Sequence, residues 1–587
     1  MNRIFTNHIG YDADATKTAV FEGKKGMNAT AFSVIRVEDG EVVYNGTLVE
    51  VGEVDNWKTG YYFTIRFDEL KADGEYYISI KSDNEDYRSF PFKIEHNLLE
   101  MRTLSTAGYY FKAQRPTGEF EAGDRALPFR GEREGCQDVR GGWFDATGDI
   151  GIHFSHLSHT TYFNPQQAAF SAYAFFKFHD LLEESKYPYY TYLKRRMLDE
   201  AMYGADFVMR MRAPSGSFFR SKGRGDAFLP LATSRFISYE FRQPKSRKGG
   251  GVLEGFDEIK DENYETSFRS GGGYAIATLA YAARTTFPSD YPKEEYIKAA
   301  VAAYNYLEKN NERYTNDGKW NLIDEYCALD ALVELYKTTR EWDYMRKAGK
   351  MAERIMDRYV AVDDTMGYLS VNGTKRPFFH AADAGMPIVN LLNYYQIEID
   401  KKLRARALDI ATKVMRHELA VTKEASNPFG YARQLIQDGK GTIETRFFYP
   451  HDVETAPWWQ GENARIASLA TAARYMTYHT NCDTFKAELN KYADDQINWV
   501  LGLNPYDSCM MEGVGRNTNA YFYEERKDFI HCPGGIVNGI TGGLEDEEHG
   551  ISFITKPTTE IKDNWRWAEQ WIPHATWFMY ALTMKKI

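Results

Sequence analysis

Cysteine is scarce: the 587 residues hold five, Cys136, Cys327, Cys482, Cys509 and Cys532, far apart and with no CxxC pair. That pattern argues against a disulfide framework and suits reduced thiols in a reducing compartment. Long apolar runs are missing as well. No stretch offers the roughly 18 uninterrupted apolar residues of a membrane span. The opening MNRIFTNHIGYDADA lacks the apolar segment of about 7 to 15 residues found in a secretory leader, so a cytoplasmic location is expected. Basic charge is in deficit, with 72 Lys and Arg against 83 Asp and Glu and a net charge of -11. A nucleic-acid or anionic-membrane partner needs a basic face, and neither is expected. The one basic run, Lys245 to Lys248 followed by glycines, reads as a solvated loop. No metal-ligand motif and no short-period repeat is present, which argues against a solenoid.

What the chain does have is a soluble, globular composition, 43% hydrophobic and 26% charged, in a length that predicts one large catalytic unit with a smaller attachment. Aromatic residues reach 15%, with 41 Tyr and 11 Trp. Flat rings stack on the apolar faces of sugars, so the excess hints at a carbohydrate site without establishing one.

Residues 1–95 alternate with period two. Phe63, Ile65 and Phe67 oppose Thr64, Arg66 and Asp68, and Tyr76, Ile78 and Ile80 oppose Tyr77, Ser79 and Lys81. Asp39-Gly40 lies between AFSVIRV and EVVY as a two-residue hairpin turn would, and Asp73-Gly74 separates two further strands. This spacing predicts an immunoglobulin-like β-sandwich. From 96 to 587 the period is helical. Leu322, Tyr326, Leu329, Val333 and Tyr336 share one face, as do Ile466, Leu469, Ala470, Ala473 and Met476. About eleven or twelve such segments without intervening strands predict a mainly α toroid of six helical hairpins, with loops at one funnel end.

A glycosidic bond cut with inversion requires one carboxylic acid beside the bond and one carboxylate opposite, with a water between. Two stretches offer such groups in aromatic, loop-like surroundings. GGWFDATGD carries Asp145 and Asp149 in a glycine-flanked loop after Trp143; from spacing alone, turn or capping roles compete with that of a base. Clustered acids also leave a structural calcium open, although further ligands of a recognised loop are missing. NWRWAEQW places Glu569 among Trp565, Trp567 and Trp571 at the start of an apolar helix. Apolar burial keeps a carboxyl protonated, as a general acid needs, while a first-turn Glu answering the helix dipole explains the same position.

These stretches resemble glycoside hydrolase family 9. GGWFDATGD resembles that family's GGW[FY]DAGD-type motif, NPYDSCMMEGVGRN its NPxxxSYvvGfG segment, and WAEQW the segment that bears its catalytic acid. NPQQAAF from Asn164, SFRSGGGYAIATLAYAAR from Ser267 and PHDVETAPWWQGENARIASLA from Pro450 are similar to the branch with an immunoglobulin-like domain in front. The resemblance implies an (α/α)6 barrel behind a β-sandwich and hydrolysis with inversion. By position it implies Asp149 as base, Asp145 as a holder of the water and Glu569 as general acid, with no cofactor. It adds Trp143, His451, Trp458, Trp459, Glu462, Glu524, Arg526 and Trp571 as candidates for substrate contact.

The chain departs from the family pattern in three respects. ATG separates the aspartates where AG is usual, leaving open which carboxylate faces the water. Glu524-Glu525-Arg526 stands where many cellulases of the family have His-x-Arg, and neither a leader nor a cellulose-binding module is evident. These departures point to short sugars and to a branch that includes exo-β-D-glucosaminidases, with Glu524 facing the ammonium of glucosamine. A β-1,4-glucanase or cellodextrinase is the alternative, and a sugar-binding protein with a decayed site is the reading from another class. The expected partner is a small β-linked oligosaccharide; exo or endo action and oligomeric state are not fixed by the sequence.

Overall fold

The structure is a computed structural model that describes residues 2–82, 85–156, 161–185, 188–224, 235–239, 260–451, 453, 460–524, 531–544 and 546–585. Ten strands come first: β1 Arg3–Phe5, β2 Gly10–Asp12, β3 Thr18–Gly23, β4 Ala31–Arg36, β5 Val42–Thr47, β6 Val49–Gly52, β7 Tyr61–Arg66, β8 Gly74–Ser82, β9 Glu85–Arg88 and β10 Phe92–Glu95. They form two sheets, β1-β3-β7-β6 and β2-β10-β8-β4-β5 with β9 beside β8. All pairs are antiparallel except β10 with β2. Alternation works as the sequence predicts: Phe63, Ile65, Phe67, Tyr76, Ile78 and Ile80 fill the core between the sheets. The turn after β4 is longer than two residues. Arg36 N–H donates to Glu41 O (2.9 Å) and Gly40 N–H to Arg36 O (3.0 Å), so Val37 to Gly40 make the turn, with Gly40 at φ 73° supplying its left-handed residue.

Among the described residues, twelve helices of at least 12 residues follow. They are α1 Leu98–Ala113, α2 Ala168–Ser185, α3 Thr191–Arg210, α4 Gly273–Arg284, α5 Lys293–Asn310, α6 Leu322–Thr339, α7 Trp342–Met356, α8 Met386–Ile397, α9 Lys401–Lys423, α10 Asn463–Thr477, α11 Asp483–Val500 and α12 Ile572–Thr583. Helices α2, α4, α6, α8, α10 and α12 pack in sequence around a ring that closes where α12 meets α2. Each has an outer partner, and α1 packs on α12, so the two ends of the helical region complete one hairpin. This is an (α/α)6 barrel behind an immunoglobulin-like sandwich.

The inner helices correct the one-face reading. All of α12 and all of α10 except Thr477 are buried, because each inner helix packs toward the axis and against the outer ring. The apolar face through Ile466, Leu469 and Met476 is therefore one of two, with Ala464, Ala467 and Ala472 on the other. Aromatic rings are largely absorbed in this packing: Trp57, Trp143, Trp499, Trp567 and Trp577, five of the 11 tryptophans, are fully buried.

All six inner helices begin at one end of the barrel. Gln166 joins the starts of α2, α8 and α4, its N–H donating to Asp383 Oδ2 (2.8 Å) and its amide to Arg269 O (2.6 Å). Arg269 N–H donates to Asp324 in the first turn of α6 (3.2 Å), and Ala464 N–H at the start of α10 donates to His574 in that of α12 (2.7 Å). At the side of the barrel, the sandwich inserts Trp57 against Phe447 (5.0 Å between centroids) and Trp499 (5.8 Å). No described helix is long and apolar enough to cross a membrane.

Candidate active site

The loop from Val139 to Ile152 rises at the end where the inner helices begin. Gly141 and Gly142 adopt φ 99° and 77°, and a Cβ on Gly142 would lie 2.9 Å from the Phe207 ring. Only glycine fits there. The turn drives Trp143 inward. It is 0% exposed and its indole N–H donates to Glu200 Oε2 (2.9 Å). Trp143 is thus a core residue and not the sugar platform that its place in the motif suggests.

Beyond Trp143 the loop pairs with the segment that carries Glu569. Ile572 N–H donates to Asp145 O (2.9 Å), Thr147 N–H donates to Gln570 O (2.9 Å), and Ala146 bridges Trp571. This short antiparallel ladder sets the loop that carries Asp145 and Asp149 against the segment that carries Glu569. Asp149 Oδ1 accepts the N–H groups of Ile150 (2.6 Å) and Gly151 (2.9 Å), which fixes the orientation of its carboxylate. Asp145 is 8% exposed and its Oδ2 lies 3.6 Å from His153 Nε2.

Glu569 is half-buried. It follows the short helix Trp565–Ala568 in extended conformation, three residues ahead of α12. A first-turn Glu answering the dipole of α12 therefore does not describe it: the carboxylate stands outside that helix. Asn538 holds the segment, its N–H donating to Glu569 O (2.8 Å) and its amide to Trp565 O (2.8 Å). Asn538 Oδ1 in turn lies 2.9 Å from His574 Nε2. Because His574 Nδ1 accepts from Ala464, the ring proton sits on Nε2, and burial pushes the His574 pKa down to about 3, keeping it neutral. Tyr110 lies beneath, donating to Gln570 O (3.2 Å). Burial holds its phenol protonated, and the charge of Asp145 adds to that effect.

The other sequence candidates differ in their surroundings. His451 is half-buried; burial first, then the charges of Arg566 and Arg446, push its pKa down to about 3. Arg566 remains a cation, since burial lowers its pKa only to about 10. Glu462 is committed elsewhere. It is 3% exposed, pairs with Arg465 Nε (2.5 Å) and accepts Tyr449 N–H (2.6 Å) at the start of α10. A structural role replaces the expected sugar contact, because its carboxylate is used up before a substrate could reach it.

Trp571 is 2% exposed, its ring edge-on to His156 (5.9 Å), so it is a wall more than an open platform. Glu524 is exposed at φ 50°, next to Tyr523, which bridges Asp563 on the approach to Glu569. Trp458, Trp459 and Arg526 lie outside the described residues. Among the described residues no group of three or more His, Cys, Asp or Glu could hold a metal ion. Sequence reasoning missed Tyr110, Thr147, His153, Asn538, Gln570 and His574. None of them is a carboxylate, the group that the chemistry asks for, so no local pattern marks them.

The model of glycosyl hydrolase family 9 matches residues 102–531, and that of the cellulase N-terminal ig-like domain matches residues 1–85. The first match takes in Asp145 and Asp149, and Glu569 lies past its end. "Endoglucanase D" of Acetivibrio thermocellus is 25% identical over 594 residues, covering 96% of this chain and 81% of its own. "Endoglucanase A" of Fibrobacter succinogenes is 27% identical over 292 residues, covering 44% of this chain and 56% of its own. In fold, a metagenome-derived family 9 endoglucanase superposes with a TM-score of 0.66 at 17% identity over 100% of this chain and 99% of that one. A family 9 protein of Bacteroides ovatus gives 0.64 at 16% identity over 99% and 98%.

Proposed function

The chain belongs to glycosyl hydrolase family 9 and is a glycoside hydrolase; on that premise we propose that it is an inverting β-1,4-glucanase acting on glucan chains or short cello-oligosaccharides. Glu569 gives its proton to the glycosidic oxygen as that bond breaks. Asp149, turned by the Ile150 and Gly151 amides, takes a proton from the water, and Asp145 holds that water. The water oxygen bonds to the anomeric carbon from the face opposite the leaving group, so one proton enters and one leaves the carboxyl pair for each bond cut. We take residues 1–95 as a brace and 96–587 as the catalytic unit, which the burial of Trp57 in the barrel wall supports.

The choice of a neutral sugar rests on the names of the curated relatives, both endoglucanases. His451, held neutral by burial, is of a kind to hydrogen-bond a sugar hydroxyl, and the two arginines beside it are each paired with a carboxylate, Arg446 with Glu444 (2.6 Å) and Arg566 with Asp563 (3.8 Å). One observation favours the exo-β-D-glucosaminidase reading: Glu524 stands exposed next to Tyr523, which bridges Asp563 ahead of the acid, where it could meet an ammonium. The test is kcat/KM for cellotetraose against the fully deacetylated chitotetraose. Preference for cellotetraose is expected. Preference for the amino sugar, lost in Glu524→Gln, overturns the glucanase reading in favour of the second.

A further inference from the structure

Thr147 sits between the two aspartates, and its side chain does something that the ladder does not require. Its hydroxyl donates to Gln570 Oε1 (2.7 Å), while its N–H donates to Gln570 O (2.9 Å). Gln570 is the residue after Glu569 and is 0% exposed. The orientation of its amide is set by groups that act only as donors or only as acceptors. Oε1 also receives Cys532 N–H (2.8 Å), and Nε2 donates to Cys532 O (2.9 Å) and Gly535 O (3.2 Å). A Cβ on Gly535 would lie 2.4 Å from that amide, so the turn is shaped to receive it.

The base loop, the acid segment and the Cys532 to Gly535 turn thus meet at one buried amide, and Thr147 ties the base loop to it through a side chain. We propose that Thr147 is a positioning residue whose hydroxyl, through Gln570, sets the separation of Asp149 from Glu569. The residue by which ATG exceeds the shorter AG spacing thereby acquires a role, since it reaches across to the acid segment. A backbone ladder alone leaves the two segments able to shear; a second bond from the same residue to the same partner removes that freedom, and reacting groups that drift by about 1 Å can lose about 10²-fold in rate.

The proposal rests on Glu569 and Asp149 being the acid and the base, and the experiment separates the two. Thr147→Val, Thr147→Ala and Thr147→Ser are made in the full chain and assayed on cellotetraose beside Glu569→Gln and Asp149→Ala. Thr147→Val and Thr147→Ala are expected to lower kcat about 10-fold or more, with KM unchanged. Thr147→Ser, which keeps the hydroxyl, retains most of the turnover. Thr147→Ala reports on the same bond if the valine variant fails to fold. Wild-type kcat in the valine or alanine variant, a loss in KM alone, a lower melting temperature with unchanged kcat, or equal losses in the serine and alanine variants overturns the proposal. Should Glu569→Gln and Asp149→Ala keep full activity, the acid and base assignment fails, and the positioning proposal falls with it.

Discussion

Lys222→Met removes an ammonium from the neck of the catalytic loop, where the structure allows the consequence to be worked out. Lys222 Nζ is fully buried and donates to Asp124 Oδ2 (2.5 Å), Val139 O (2.6 Å) and Gly141 O (2.9 Å). Its backbone pairs with Ile152. One residue therefore holds both legs of the loop that carries Asp145 and Asp149. Methionine keeps the length and the apolar stem but leaves two buried carbonyls without that donor, at about 1 to 3 kcal/mol each. Asp124 keeps Arg235 Nη1 (2.7 Å), which limits its loss, so the two carbonyls set the total expected at about 2 to 6 kcal/mol. Denaturant unfolding of wild type and variant measures it. Turnover on cellotetraose should fall as well, because the loop's legs are released. Unchanged stability and unchanged kcat would refute the reasoning, since both carbonyls would then have found other donors at no cost.

Three further outcomes are expected. Glu100 is 2% exposed, and burial, with Asp12 adding, pushes its pKa up to about 7. Its contribution to stability is therefore present in full below pH ~4 and lost as pH rises through about 7, so Glu100→Gln should stabilise the protein at pH 8 by up to about 3 kcal/mol, seen as a higher melting temperature, and not at pH 4. Trp57→Ala should cost about 3 to 5 kcal/mol and expose the link between β10 and α1 to limited proteolysis; an uncut, equally stable variant would show that the sandwich needs no such wedge. Glu569→Gln should slow cellotetraose by about 10² to 10⁴-fold and spare 2,4-dinitrophenyl β-cellobioside, whose leaving group needs no proton. Equal losses on both substrates would remove Glu569 from the role of acid.

Asp145, Asp149 and Glu569, the carboxylates of the proposed mechanism, stand out in the sequence because the chemistry asks for acids in glycine-rich or aromatic loops. The twelve helices and the sandwich were legible through their periods. Trp143 was misread because its motif says nothing of the direction imposed by Gly141 and Gly142. Glu462 was misread because Arg465, three residues on and buried with it, looks like any helical neighbour until the barrel closes over both. Thr147 and Gln570 are neutral and 423 positions apart, so nothing local could pair them. The two apolar faces of the inner helices merge into one signal, since alanine serves either face.

The central claim is that water attacks from the side opposite the leaving group, and the anomer released first is its direct record. Proton NMR of cellotetraose during the first minutes with wild-type enzyme should show the α-anomer ahead of mutarotation. A first-formed β-anomer would contradict the account.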